Sequence, residues 1–175
     1  MHAAPPHPQP QNHAGHGVPG PDDAAQKVLL LLVPIKQVED IVFGARYARR
    51  LQEWGISVKV NLLHVTPASS HSGVVGIGDS SKSEAAAAQL MQEAGLYLSR
   101  SHIEFSTFIS SGDVAFTILD TAELLGCHEV ILPAPKPRHW PRRFSGDLAR
   151  KLARDSRSAI VLQANQDGVG GPVPV

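Results

Sequence analysis

The chain is poor in the features that would send it out of the cell, into a bilayer or onto nucleic acid. It has one cysteine, Cys127, in 175 residues, so no internal disulfide forms and the disulfide scaffold of small secreted domains is excluded. There is no charge excess: 16 Lys and Arg balance 16 Asp and Glu. A neutral total gives no global field to draw the chain onto nucleic acid or an anionic membrane, and nucleic-acid recognition needs a basic face. The longest apolar run covers residues 28–35, far short of the roughly 20 residues that cross a bilayer as a helix. The N-terminus also lacks the basic start and apolar stretch of a secretory signal. These absences predict a reduced, cytoplasmic setting, with neither nucleic acid nor membrane as partner.

What is present divides unevenly. Residues 1–26 carry six prolines, three glycines and no aromatic residue. Such a segment buries too little apolar surface to offset about 1–2 kcal/mol per residue of backbone ordering entropy, and it reads as a disordered arm of polyproline character. Residues 164–175, which include Asp167-Gly168-Val169-Gly170-Gly171-Pro172, read as a flexible C-terminal tail. Residues 27–163 lie between, enough for one domain with one core.

Within that domain the apolar period alternates between two types. Residues 28–33 form a continuous apolar run, the mark of a strand covered on both faces. Val38, Ile41, Val42, Ala45, Ala48 and Leu51 follow at helical spacing, with Gly55 as the stop. Residues 58–65 read as a second strand ended by Pro67, and a glycine-bearing loop leads to Ser81-Lys82-Ser83-Glu84, spaced as a capping box for a helix reaching Arg100. A third strand is expected at 103–109, then a Gly112-Asp113 turn into a helix with Ala115, Ile118, Ala122 and Leu125 on one face, capped by Gly126. Residues 129–132 form a fourth strand, Phe144, Leu148 and Leu152 stripe a last helix, and Ala159, Ile160, Val161 and Leu162 form a fifth strand. Strands alternating with helices imply an α/β, doubly wound parallel sheet with right-handed crossovers and helices on both faces. The expected architecture is flavodoxin- or Rossmann-like, with five strands in the order 3-2-1-4-5.

This succession, with its punctuation, resembles the universal stress protein family over residues 27–163. The likeness is carried by Leu63-His64-Val65 at the end of strand two, by Ser111-Gly112-Asp113-Val114-Ala115 with the helix after it, by Glu129-Val130-Ile131-Leu132, and by Ser158-Ala159-Ile160-Val161-Leu162. A shorter likeness, Ile35-Lys36-Gln37-Val38-Glu39-Asp40, is similar to the opening of electron transfer flavoprotein β subunits. The family resemblance implies a stress-response protein that binds and regulates as a homodimer, and ATP bound by some members.

Members that bind ATP have an aspartate at the end of strand one and a G-x2-G-x9-G-[ST] pattern after strand four, where glycines admit the phosphates and a helix N-terminus receives them. Here Pro34 stands at the aspartate position. With Gly146 as the last glycine, Pro133 and Lys136 take the other two glycine positions, and Asp147 takes the hydroxyl position. The resemblance therefore points to the branch without the usual ATP site, and no cofactor is expected. The alternative is an ATP- or AMP-type nucleotide, or a small anion. It would be held by Lys136, Arg138, Arg142, Arg143 and Gly146 in the loop before the last helix, with Trp140 available to stack.

The remaining polar candidates read blandly. His2, His7, His13 and His16 decorate the arm without a helix or turn to fix a ligand pair, so no specific metal site is expected, and the four are weak candidates only, for a third reading as a metal-responsive arm. Gly73, Gly76 and Gly78 follow strand two and do not form the dinucleotide fingerprint. Cys127 reads as a small packed residue, and His64 as a ring bonded to backbone at a strand end. No nucleophile, base and orienting group stand in a catalytic spacing, so no enzyme is expected. With strand five at the sheet edge, Ala159, Ile160, Val161 and Leu162 are expected to pair with a second copy about a two-fold axis, alongside an unidentified protein partner.

Overall fold

The computed structural model describes residues 27–67, 77–134 and 146–174. The expected arm (1–26), with its four histidines, and the basic loop at 135–145 lie outside the described residues. Strand β1 (Leu29–Pro34) explains its own composition, because both of its faces are covered. Leu31 and Val33 enter one core cluster and Leu32 the other, all at 1% exposure or less. A 3-10 turn at Val38–Asp40 leads into helix α1 (Ile41–Glu53), which buries Ile41, Phe43, Ala45, Ala48 and Leu51. The chain leaves α1 through Gly55 at φ +80°, a left-handed conformation that glycine adopts without a Cβ penalty.

Strand β2 (Val58–Pro67) lies parallel to β1 and repeats its two-sided logic, with Val60 and Leu62 in one cluster and Leu63 in the other. Helix α2 (Ile77–Arg100) ends where the sequence predicts but starts earlier. Ser81 to Glu84 thus lie inside the helix rather than at its cap, since an established helix extends by a turn at little cost. Strand β3 (Glu104–Gly112) pairs with β2 over nine residues. Helix α3 (Val114–Leu124) is capped by Asp113, whose carboxylate accepts the Phe116 N–H at 2.9 Å. Strand β4 (Glu129–Pro133), helix α4 (Gly146–Asp155) and strand β5 (Ile160–Ala164) complete the expected succession.

The sheet order is β3-β2-β1-β4-β5-β6. Its first five strands are parallel and stand in the expected order, with α1 and α2 packed on one face and α3 and α4 on the other. One difference is substantive. The segment expected to fray contains a sixth strand, β6 (Gly170–Pro172), antiparallel to β5, so β5 is not the sheet edge. Alternating periodicity did not reveal β6, because Gly-Gly-Pro has no apolar face to alternate.

The α3 cap gives a pH-dependent prediction. The Phe116 N–H, and then the Lys151 ammonium at 3.7 Å, hold the Asp113 carboxyl below the usual carboxylate range. A depressed folded-state pKa contributes stability above the unfolded value of roughly 3.9, and that contribution disappears as pH falls through the folded value. Asp113→Ala should therefore lower the melting temperature at pH 7. The gap between variant and parent should close on acidification below pH ~4, as thermal melts across pH would show.

Candidate functional site

Doubly wound sheets offer ligands a crevice outside the carboxyl ends of their strands, where strand order reverses. In this sheet that point lies between β1 and β4. The two strands pair at Leu31–Glu129 and Leu32–Val130, then run on to Pro34 and Pro133. Both walls of the crevice thus end in proline, which has no N–H to donate.

The β1–α1 loop continues the theme. The Ile35 N–H donates to the Leu63 carbonyl at 2.8 Å. The Lys36 and Gln37 N–H groups both donate to Asp40 Oδ2, at 3.0 and 3.1 Å, and the Gln37 side-chain amide donates to Oδ1 at 3.3 Å. Asp40 is 2% exposed, and its side-chain oxygens are buried and held by loop amides. The Ile35 carbonyl accepts from His64 Nδ1 at 3.0 Å, as expected for a histidine at this strand end. On the opposite wall the Ala134 N–H donates to the Ala164 carbonyl at 2.7 Å. From residue 34 to 37, and at 133–134, every backbone position either lacks an N–H or has it engaged within the protein.

Asp40 is the polar residue that sequence reasoning missed. The available signal was the Gln37-x-x-Asp40 spacing, in which a carboxylate at the third helical position reaches back over the turn. Asn61 was missed as well. It is 5% exposed within β2, and its amide donates to Cys127 Sγ at 3.4 Å. Burial pushes the Cys127 thiol up, opposed by that hydrogen bond, so the sulfur stays protonated and unreactive at neutral pH. Among the described residues, no three or more His, Cys, Asp or Glu side chains gather to hold a metal ion. No described helix is long and apolar enough to cross a membrane.

Elsewhere, a groove of about 360 Å³ runs between α3 and α4. Phe116 and Leu119 line it, and Asp120, Lys151, Asp155 and Arg157 give it charges of both signs. Arg154 holds the Asp155 carboxyl low through a 2.8 Å ion pair at the helix end, so that carboxylate is already partnered.

A family model, the universal stress protein family, matches residues 31–162. The chain belongs to that family. Solved structures agree on the fold. One universal stress protein from Burkholderia pseudomallei superposes with a TM-score of 0.58 at 13% identity, covering 77% of this chain and 93% of that one. A universal stress protein in complex with cAMP gives 0.54 at 10% identity, covering 79% and 97%. A family protein from Arabidopsis thaliana with AMP bound gives 0.52 at 11% identity, covering 78% and 90%. A search of curated proteins found no match.

Against the universal stress protein pattern, the structure sets Pro34 buried at the end of β1 and Pro133 at the end of β4. Gly146 is the first residue of α4, where a phosphate-receiving helix N-terminus would begin. Asp147 follows it, and its exposed carboxylate pairs with Arg150 at 2.7 Å. Lys136, Arg138, Arg142 and Arg143 lie outside the described residues.

Proposed function

We propose that this universal stress protein is a cytoplasmic binding and regulatory protein of the stress response that works without the family's usual ATP site and without catalysis. It acts through a protein partner and, once β6 leaves the β5 edge, as a homodimer that pairs through β5. One observation carries the reading on ATP. Strand β1 ends in Pro34 where ATP-binding members have aspartate, and the next amides, in the β1–α1 loop, are held by Leu63 and Asp40. A nucleotide at that wall would meet no side-chain acceptor for its base or ribose at position 34. It would also have to displace a buried carboxylate to reach the amides, and the exposed Asp147 carboxylate at α4 would repel its phosphates.

A second reading is favoured by four cations within eight residues, Lys136, Arg138, Arg142 and Arg143, just ahead of α4. Arginine forks bind phosphate or carboxylate bidentately, and cations near a helix N-terminus are eased by an anion. In that reading the protein senses an AMP-type nucleotide or a small anion. Melting the purified protein with ATP, ADP, AMP, cyclic AMP and inorganic phosphate separates the two. A ligand at ~100 times its dissociation constant adds roughly 2.7 kcal/mol of stability, several degrees for a domain of this size. The expected result is no shift with any of them. A shift of several degrees that disappears in Arg142→Ala would replace the first reading with the second.

A further inference from the structure

The segment after β5 is a built element. The Asn165 side-chain carbonyl accepts the N–H groups of Asp167 and Val169, both at 2.9 Å, and the Asn165 N–H donates to the Val169 carbonyl at 3.0 Å. This turn is fastened to α1: the Arg46 guanidinium donates to the Gln166 carbonyl, and Arg50 donates to the Asp167 carbonyl at 3.4 Å. Gly168 is buried at φ +74°, where a Cβ would stand 2.6 Å from the Arg46 carbonyl oxygen. Gly170 lies against the Tyr47 ring, where a Cβ would stand 2.6 Å from a ring carbon. Tyr47 in turn donates its hydroxyl to Glu129 at 2.9 Å, which ties the ring to β4. The chain then crosses the sheet edge as β6 and buries Val173 in the cluster that holds Val161, beneath α3 and α4. Residues 165–174 form a strap from the α1 face, around the β5 edge, to the opposite face.

A strand that meets its own copy about a two-fold axis normal to the sheet must run antiparallel to it. β6 is antiparallel to β5, with Leu162, Gln163 and Ala164 opposite Pro172, Gly171 and Gly170. The strap therefore occupies the hydrogen-bonding edge that a second β5 would use.

We propose that the C-terminal strap gates self-association: while it is docked on β5 it excludes a second copy of this chain, and its release opens the β5 edge for two-fold pairing. This rests on the reading above that copies pair through β5. Two features make the exchange feasible. β6 is a poor strand, because Pro172 has no N–H and the two glycines have no side chains to pack across the pair. β5 brings Ile160, Val161 and Leu162, and the Ile160 side chain is 63% exposed beside the edge. The strap wins at low protein concentration because it is tethered, with an effective concentration in the millimolar range against micromolar free copies.

Sedimentation across protein concentration tests the gate, using the full chain, Gly168→Val, and Arg46→Ala with Arg50→Ala. Hydrogen exchange at the amides of 162–173 reports whether the strap is docked. Gly168→Val places a side chain against the Arg46 carbonyl at a positive φ, while the arginine pair removes only the outer fasteners and leaves the core intact. The expected result is a monomeric full chain with a protected strap, and a dimer whose dissociation constant falls at least ~100-fold in Gly168→Val and by a smaller factor in the arginine pair. A full chain that is already dimeric with its strap protected would overturn the gate alone, since copies would then meet elsewhere. Variants that stay monomeric with the strap released would instead overturn pairing through β5.

Discussion

Leu62→Ala should lower the free energy of unfolding by about 2–5 kcal/mol, as for buried leucines truncated in other cores. Leu62 has no solvent exposure and sits near the middle of β2, with Val33 beside it on β1 and Thr107 on β3. It belongs to the cluster that takes Ile41 and Leu51 from α1 and Met91, Ala94 and Leu98 from α2. Truncation removes its burial energy and leaves a cavity beside a strand that two ladders and two helices hold in place, so little collapse is available. Against a total stability of roughly 5–15 kcal/mol this is a large loss. Leu96→Ala serves as the control: Leu96 is on α2 but 50% exposed, and its truncation should stay within about 0.5 kcal/mol. Urea unfolding of both variants at constant slope measures the difference.

Asp40→Ala should cost about 3 kcal/mol, and Asp40→Asn less. Removing the carboxylate leaves the Lys36 and Gln37 amides, which both donate to Oδ2, without that acceptor in a part-buried loop. Orphaning a buried donor costs about 1–3 kcal/mol, more when the lost partner was charged. Asparagine keeps one acceptor oxygen and recovers part of the loss. The position matters because this loop forms a wall of the crevice where doubly wound sheets take their ligands. A small effect in both variants would mean that the loop amides are satisfied without Asp40, and the account of a self-saturated wall would fail.

The parts of the fold that repeat a period were legible in the sequence. The run at 28–33 gave β1 because both of its faces are covered, and Gly55 and Gly126 marked helix ends because both take positive φ. Pro34 and Asp147 were legible as departures because a family pattern assigns those positions a chemistry. Asp40 was not, because its role arises from two amides three and four residues upstream that face it only once the turn has closed. The strap was illegible for a different reason. Its anchors, Arg46, Arg50 and Tyr47, lie more than a hundred residues away on α1, and its own Gly-Gly-Pro carries no periodic signal. The glycines that read as looseness are needed for close approach: Gly168 and Gly170 fit where any side chain would strike α1.

The most direct test of the central claim is calorimetric titration of ATP and AMP into the purified 175-residue chain. A crevice with Pro34 at the aspartate position and its β1–α1 amides held by Leu63 and Asp40 predicts no saturable heat up to about 1 mM ligand, which means binding weaker than roughly −4 kcal/mol. One-to-one binding at micromolar strength, worth about −8 kcal/mol, would contradict it and make this universal stress protein a nucleotide receptor despite its two prolines.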